Sequence, residues 1–170
     1  FEELTLERVL DLVEKERPDS AVLSVGGQIP NNLAVKLSEN GVKILGTDAK
    51  DIDIAEDRVK FSSLLDSLGL KQSAWSKLET IEQAKNFSKK IGYPVLVRPS
   101  YVLSGAAMNV AFNEKDLEDY IEKATYISKE HPIVISKFIE YGREIEVDGV
   151  CNGKDVFIGA IIEHVENAGI

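Results

Sequence analysis

Three carboxylates alternate along Glu144-Ile145-Glu146-Val147-Asp148. The two-residue period of a strand puts all three on one face, with Ile145 and Val147 on the other. Stacked carboxylates repel one another, so such a face is either solvated or collects a cation or several hydrogen-bond donors. Its chemistry suits ribose hydroxyls, or Mg2+, which prefers oxygen ligands. Ser136-Lys137-Phe138-Ile139-Glu140 precedes it, so a strand gives out onto Lys137 and then turns into the acidic strand. That order fits a hinge around a base and its ribose. Arg98 supplies a planar, multi-donor cation. It stands just before Pro99 and the small-residue stretch Ser100-Tyr101-Val102-Leu103-Ser104-Gly105-Ala106-Ala107. A flap of this composition closes its backbone amides over phosphates, or is simply the connection of a hairpin.

Other candidates are quieter. Gly26-Gly27-Gln28 lies between an expected strand and helix, where backbone N–H groups approach an anion or merely complete a tight turn. It lacks the G-x-G-x-x-G spacing of a dinucleotide site. Gly41 and Gly46 have the gap of a Walker A loop, but Thr47-Asp48 stands where Lys-Ser/Thr is needed. Arg58, in Ala55-Glu56-Asp57-Arg58, reads as a solvated helix-start residue. His131 is expected at the surface, and His164 either there, in the core or facing a cleft. Cys151 abuts a turn and reads as inert, and Trp75 and Met108 read as packing residues.

The elements that must hold these groups follow from periodicity. Thr5 caps a helix to Glu16 in which Leu6, Val9, Leu10 and Val13 share a face. Ala21–Val25 and Val42–Leu45 read as strands on either side of a helix through Leu33, Val35 and Leu37 that Gly41 stops. This alternation predicts parallel strands in an α/β layer. Phe61, Leu64, Leu65 and Leu68 line one face of the next helix. Thr80 and Gln83 form a capping box before Ile81, Ala84, Phe87 and Ile91. Strands are expected at Pro94–Arg98, Ala107–Phe112 and Ile133–Ile135, with a helix opened by Asn113 and Asp116 in between. Arg143–Val150 and Val156–Ile162 flank Asn152-Gly153, a two-residue hairpin signal. The region after Arg98 is thus α+β, and the boundary between the two patterns is expected near Thr47–Glu56.

Composition bounds the rest. The 170 residues predict about one domain, and the 44% of apolar types suffices for a buried core. Twenty Lys and Arg against 29 Asp and Glu leave a net charge of −9, which argues against nucleic acid as a partner. A small anion needs only a few local cations. No apolar run approaches the roughly 20 residues of a membrane helix. One cysteine excludes a disulfide framework and suits a reducing compartment. The chain opens on Phe1 and ends on Ile170, and both ends are expected to be cut from something longer.

Gly26-Gly27-Gln28-Ile29-Pro30-Asn31-Asn32-Leu33-Ala34, Ala55-Glu56-Asp57-Arg58, the stretch from Arg98 to Gly105 and Glu163-His164-Val165-Glu166-Asn167-Ala168-Gly169 occur together, in this order, in one family. By them the chain resembles carbamoyl-phosphate synthetase, specifically the second, C-terminal ATP-grasp half of its large synthetase component. The Arg-Pro-Ser-Tyr-Val-Leu-Ser-Gly spelling is the mark of that half, since the first half typically reads Arg-Ala-Ala-Tyr-Ala-Leu-Gly-Gly. The Asn-Asn and Leu-Ser-Gly spellings are more similar to the eukaryotic, pyrimidine-pathway type.

The resemblance implies an α/β fold: a partial Rossmann-like pre-ATP-grasp domain over residues 1–56, then an incomplete ATP-grasp domain with an α+β lid over 57–170. It implies phosphate contacts by Arg58 and Arg98, and a mobile loop over the triphosphate containing Ser104 and Gly105. Ser104 departs from the usual Gly-Gly, and Ala106 replaces a usually basic residue. Lys137 and Ile139 fall where the family holds adenine, Glu144 matches the ribose carboxylate, and Gly169 and Ile170 match a further nucleotide-contacting segment. The implied reaction phosphorylates carbamate with MgATP to give carbamoyl phosphate and ADP. Mn2+ is an alternative to Mg2+, and the metal ligands, a Gln and a Glu, are implied to lie beyond this chain, so that the isolated chain is expected to be inactive. Implied partners are ATP, carbamate, a glutamine amidotransferase domain or subunit and the rest of the synthetase chain. The implied location is cytoplasmic, with a mitochondrial paralogue as the alternative. The competing expectations are another ATP-grasp enzyme, such as biotin carboxylase, and a non-catalytic nucleotide-binding module.

Overall fold

A computed structural model of the chain describes residues 2–100, 108–124 and 132–166 in full and 125–127 by their backbone. Two compact units divide it, Phe1–Lys137 and Phe138–Ile170.

The first unit opens with α1 (Leu6–Glu16), which starts where Thr5 accepts a hydrogen bond from the Arg8 N–H and ends with Arg17 in the left-handed conformation. Next come β1 (Ala21–Val22), α2 (Gln28–Glu39) and β2 (Ile44–Leu45). The two strands pair in parallel, Ala21 with Ile44 and Val22 with Leu45, as the alternation predicts. Leu23, Ala34, Leu37, Val42 and Ala49 form a core against which Leu6, Val9, Leu10 and Val13 of α1 pack. The strands are shorter than the apolar runs suggest, because each pairs only where the other faces it.

Two short helices follow, α3 (Ala49–Glu56) and α4 (Arg58–Ser67). Asp48 caps α3, and Asp57 ends α3 while capping α4, accepting from the Val59 and Lys60 N–H groups. The apolar face expected on α4 is not a core face among the described residues. Phe61, Leu64 and Leu68 are exposed, and the buried residue of that helix is Ser62.

A four-stranded antiparallel sheet completes the unit, in the order β3 (Trp75–Leu78), β6 (Ile133–Lys137), β4 (Val95–Pro99), β5 (Asn109–Ala111). The helices α5 (Ile81–Ile91) and α6 (Glu114–Ile127) pack against it. Both capping signals form. The Thr80 hydroxyl accepts from the Gln83 N–H, and the Gln83 side chain accepts from the Glu79 N–H. Asn113 accepts from the Asp116 N–H, and Asp116 accepts from the Asn113 amide and the Phe112 N–H. Val95, Val97, Ala111, Leu117, Ile121, Ala124, Ile133 and Ile135 make the core beneath.

The second unit is a hairpin of β7 (Ile145–Cys151) and β8 (Val156–Glu163) with a bulge at Asp148/Gly149. Its connection is four residues rather than two. Cys151 pairs with Val156, and the Asn152 side chain accepts from the Lys154 and Asp155 N–H groups. This Asx-type turn competes with the tighter Asn-Gly turn by satisfying two backbone donors at once.

Candidate functional site

The strand β4 alternates in burial. Val95, Val97 and Pro99 face the core, which turns Leu96 and Arg98 to the other face, half-buried. The Nε of Arg98 is buried and has no hydrogen-bond partner among the described residues. Burial lowers the pKa of Arg98 from its ordinary value, and the neighbouring charge of Arg58 lowers it further. Burial also lowers Arg58, against the opposing pull of Glu56 and Asp57.

Arg58 reaches this place because Asp57 starts α4 at the end of β4. The Arg58 backbone N–H donates to the Ser100 carbonyl at 2.7 Å. Its guanidinium donates to the Pro99 carbonyl at 3.1 Å and to the Met108 sulfur at 3.7 Å. Ser100 is fully buried and tied down from both sides. Its N–H donates to the Pro132 carbonyl at 2.8 Å, and its hydroxyl lies 3.5 Å from an Asp57 oxygen. Two guanidiniums so placed, one with a buried donor that no described residue takes up, have the chemistry to share an anion with several oxygens.

The structure thus joins Arg58 and Arg98, forty residues apart in sequence. Lys137 ends β6 in the same unit, where its ammonium donates to the Gly92 and Tyr93 carbonyls at 3.0 and 2.9 Å and its N–H to Ala74. Ile139 and Glu144 belong to the hairpin unit, and both are exposed. Glu144 lies beside His164, whose N–H donates to the Glu144 carbonyl at 3.0 Å. The His164 ring sits between two carboxylates, 3.9 Å from Glu144 and 3.1 Å from Glu146. Ser104, Gly105, Gly169 and Ile170 lie outside the described residues, as does His131.

Sequence reasoning gave Asp57 no role at this place, named Ser100 only as the first residue of the small-residue stretch after Pro99, and took Met108 for a packing residue. Asp57, directly before an apolar helical run, carries a readable N-cap signal. Nothing local marks Ser100 or Met108, which meet Arg58 only through the fold. Among the described residues, no three His, Cys, Asp or Glu side chains gather to hold a metal ion.

Comparison with known proteins agrees with this architecture. The family model of the carbamoyl-phosphate synthase L chain, ATP binding domain, matches residues 57–167, and that of the carbamoyl phosphate synthase preATP-grasp domain matches 1–54. The arginine-specific, mitochondrial large chain of Neurospora crassa is 54% identical over 100% of this chain and 15% of its own length. The multifunctional protein pyr1-3 of Dictyostelium discoideum is 54% identical over 100% of this chain and 8% of its own. The mitochondrial, ammonia-type carbamoyl-phosphate synthase of Rattus norvegicus is 53% identical over 100% of this chain and 11% of its own. The chain therefore spans less than a sixth of each of these relatives.

Among solved structures, the fold is similar to the biotin carboxylase domain of the Hydrogenobacter thermophilus 2-oxoglutarate carboxylase, a complex with MgADP, ADP and bicarbonate. The TM-score is 0.72 at 25% identity, over 85% of this chain and 33% of that one. Biotin carboxylase of Campylobacter jejuni gives 0.74 at 23% identity, over 91% and 36%. The α/β, ATP-grasp architecture is thus shared with biotin carboxylases, but the sequence is far nearer to the synthases. With one family model spanning most of the chain and another the remainder of its first third, the chain belongs to the carbamoyl-phosphate synthase large-chain family.

Proposed function

We propose that this chain is part of a synthetase half that phosphorylates carbamate with MgATP, with residues 1–56 as pre-ATP-grasp domain and 57–170 as part of the ATP-grasp domain. One observation carries the reading: the half-buried pair Arg58 and Arg98, with the Arg98 Nε left without a partner among the described residues. The pair fits the oxygens of a polyphosphate. An oxygen of carbamate attacks the terminal phosphorus, the bond to the bridging oxygen breaks, and ADP departs with the electron pair. Negative charge shifts towards the bridging and transferred oxygens during that step, and the fixed Arg98 donors stabilise it there, while Arg58 holds the phosphates alike before and during the step.

In this reading Ser104 and Gly105 close over the phosphates, Lys137 and Ile139 hold adenine, Glu144 takes the ribose hydroxyls, and Gly169 and Ile170 add a further nucleotide contact. Mg2+, carried in as part of MgATP, would supply further neutralisation of phosphate charge. Among the described residues, the charge work at the phosphates is that of the two arginines. Carbamate is supplied by the rest of the synthetase chain, and its nitrogen by a glutamine amidotransferase domain or subunit. The product feeds pyrimidine or arginine formation, and the compartment follows that choice; relatives of both kinds are equally similar.

The test is ATP synthesis from MgADP and carbamoyl phosphate by the complete synthetase chain carrying this segment. Arg98→Ala and Glu144→Ala are each expected to depress it about 10- to 1000-fold, the range seen when one charge-stabilising donor or binding contact is lost. Unchanged rates in both variants would refute the site assignment.

A further inference from the structure

The Gly26-Gly27-Gln28-Ile29-Pro30-Asn31-Asn32 stretch contributes no group to the arginine pair, yet it grips the element that carries Arg58. The Gln28 side-chain amide donates to one Glu56 carboxylate oxygen at 2.7 Å, and the Asn31 amide donates to the other at 3.1 Å. Gln28 also donates to the Asn32 side chain at 3.2 Å. Glu56 is the last residue of α3, Asp57 is the shared cap, and Arg58 is the first residue of α4. A carboxylate held at both oxygens by side chains from one helical turn fixes this junction in position and in rotation.

The consequences run directly to the arginine. From the junction, the Arg58 N–H meets the Ser100 carbonyl and the Arg58 guanidinium meets the Pro99 carbonyl at the end of β4. The gripping turn is itself rigidly shaped. Gly26 has φ +103°, and a Cβ there would stand 3.1 Å from the Pro30 ring. Pro30 and Ala34 of the same helix are buried, which anchors α2 to the first core. A rigid element, two charge-assisted hydrogen bonds and one interhelical residue thus separate the first core from the arginine pair.

We propose that Gln28 and Asn31 are positioning residues for nucleotide binding: by clamping the Glu56 carboxylate they hold the α3–α4 junction so that Arg58 is aimed at the phosphates. The proposal rests on Arg58 being a phosphate ligand. The clamp is a donor–acceptor pair, so it can be broken by charge and restored by exchange. Gln28→Glu sets two carboxylates against each other. Combining it with Glu56→Gln returns an amide donor to one side and a carboxylate acceptor to the other, while the carbonyl of the introduced amide still accepts from Asn31.

The experiment measures KM for MgADP and kcat of carbamoyl phosphate-dependent ATP synthesis in the complete synthetase chain, with Arg58→Ala in parallel. Gln28→Glu and Glu56→Leu are expected to raise the nucleotide KM about tenfold, with kcat changed by less than about threefold, the split of a lost ground-state alignment. The exchanged double variant is expected to return KM to within about threefold of the parent. Should Gln28→Glu fail to fold, recovery or non-recovery of KM in the double variant decides alone. An unmoved KM in the single variants, or no recovery in the double, overturns the clamp. If Arg58→Ala raises KM and the clamp variants do not, only the clamp is wrong. If Arg58→Ala leaves KM unmoved, the phosphate assignment fails and the clamp fails with it.

Discussion

Replacing Arg98 by methionine is expected to make the protein more stable and less able to bind polyphosphate. Methionine keeps an unbranched apolar stem on the outer face of β4 but removes the charge and the Nε donor that has no partner among the described residues. A buried donor without a partner costs about 1–3 kcal/mol, and the neighbouring Arg58 charge adds a repulsion that is also relieved. Loss of the hydration that a half-buried guanidinium keeps at its solvent side offsets part of this. The net expectation is a gain of about 1–2 kcal/mol, or about 2–8 °C in Tm for a chain of this size. In an Arg58→Met background the same change gains less, because the repulsion is already gone. Tripolyphosphate at about 100 times its Kd stabilises the parent by about 2.7 kcal/mol and the variant by much less. The assay is thermal unfolding followed by circular dichroism, with and without tripolyphosphate. If Arg98→Met were destabilised by more than about 1 kcal/mol without ligand, or kept the parent's full response to tripolyphosphate, Arg98 would be a structural residue and not half of an anion site.

Three further outcomes follow from the fold. Leu117 of α6 is fully buried beneath the four-stranded sheet, so Leu117→Ala is expected to lose about 2–5 kcal/mol, whereas Ile81→Ala, at an exposed site, loses about 0.5 kcal/mol or less; urea midpoints separate them. Gly26→Ala meets both a positive φ and the Pro30 ring, whereas Gly41→Ala meets a positive φ of +81° with nothing nearby. The first is therefore expected to cost more than the second, which should lose about 1 kcal/mol, again by urea midpoint. Glu114 bridges α5 and α6 by accepting from Lys85 and Lys89, both at 3.2 Å, and hydrogen bonds to Lys89 and then Lys85 lower its pKa. A carboxyl lowered in the folded state stabilises above its unfolded pKa and loses that contribution as pH falls through the folded value. Glu114→Gln is thus expected to flatten the acid limb of the stability curve below the ordinary carboxylate range and leave the neutral-to-alkaline region parallel to the parent's. An unchanged acid limb would contradict it.

Which features the sequence revealed depended on how far apart in the chain their causes lie. Thr5, Thr80 and the Asn113–Asp116 pair cap their helices through residues three positions apart, so a short window contains both partners. The parallel pairing of β1 and β2 was likewise readable, because alternation of helix and strand leaves few other topologies. β3 was not. Trp75-Ser76-Lys77-Leu78 has no apolar run, and it is a strand because β6 offers it a complete edge, Trp75 against Ser136 through Leu78 against Ile133. α3 escaped notice for a related reason. Its eight residues bury only Ala49 fully, and its place is set by the Asp48 and Asp57 caps more than by an apolar stripe.

The candidate site lies at the non-local extreme. The bonds from Arg58 to Pro99 and Met108 span 41 and 50 residues, so residue types at those positions carry no local sign that they will meet. Family resemblance, not spacing, singled out Arg58 and Arg98 together. What the structure adds is a physical cause for their meeting. Asp57 must cap α4, and capping puts the next residue's N–H where the end of β4 accepts it. The acidic stretch 144–148 shows the opposite case. Its period correctly put Glu144 and Glu146 on one side, but period is silent about what comes between them, and His164 arrives there because β8 returns in register, Glu163 opposite Ile145. A pattern within one strand predicts which groups share a face; only the pairing of two strands decides what chemistry that face can do.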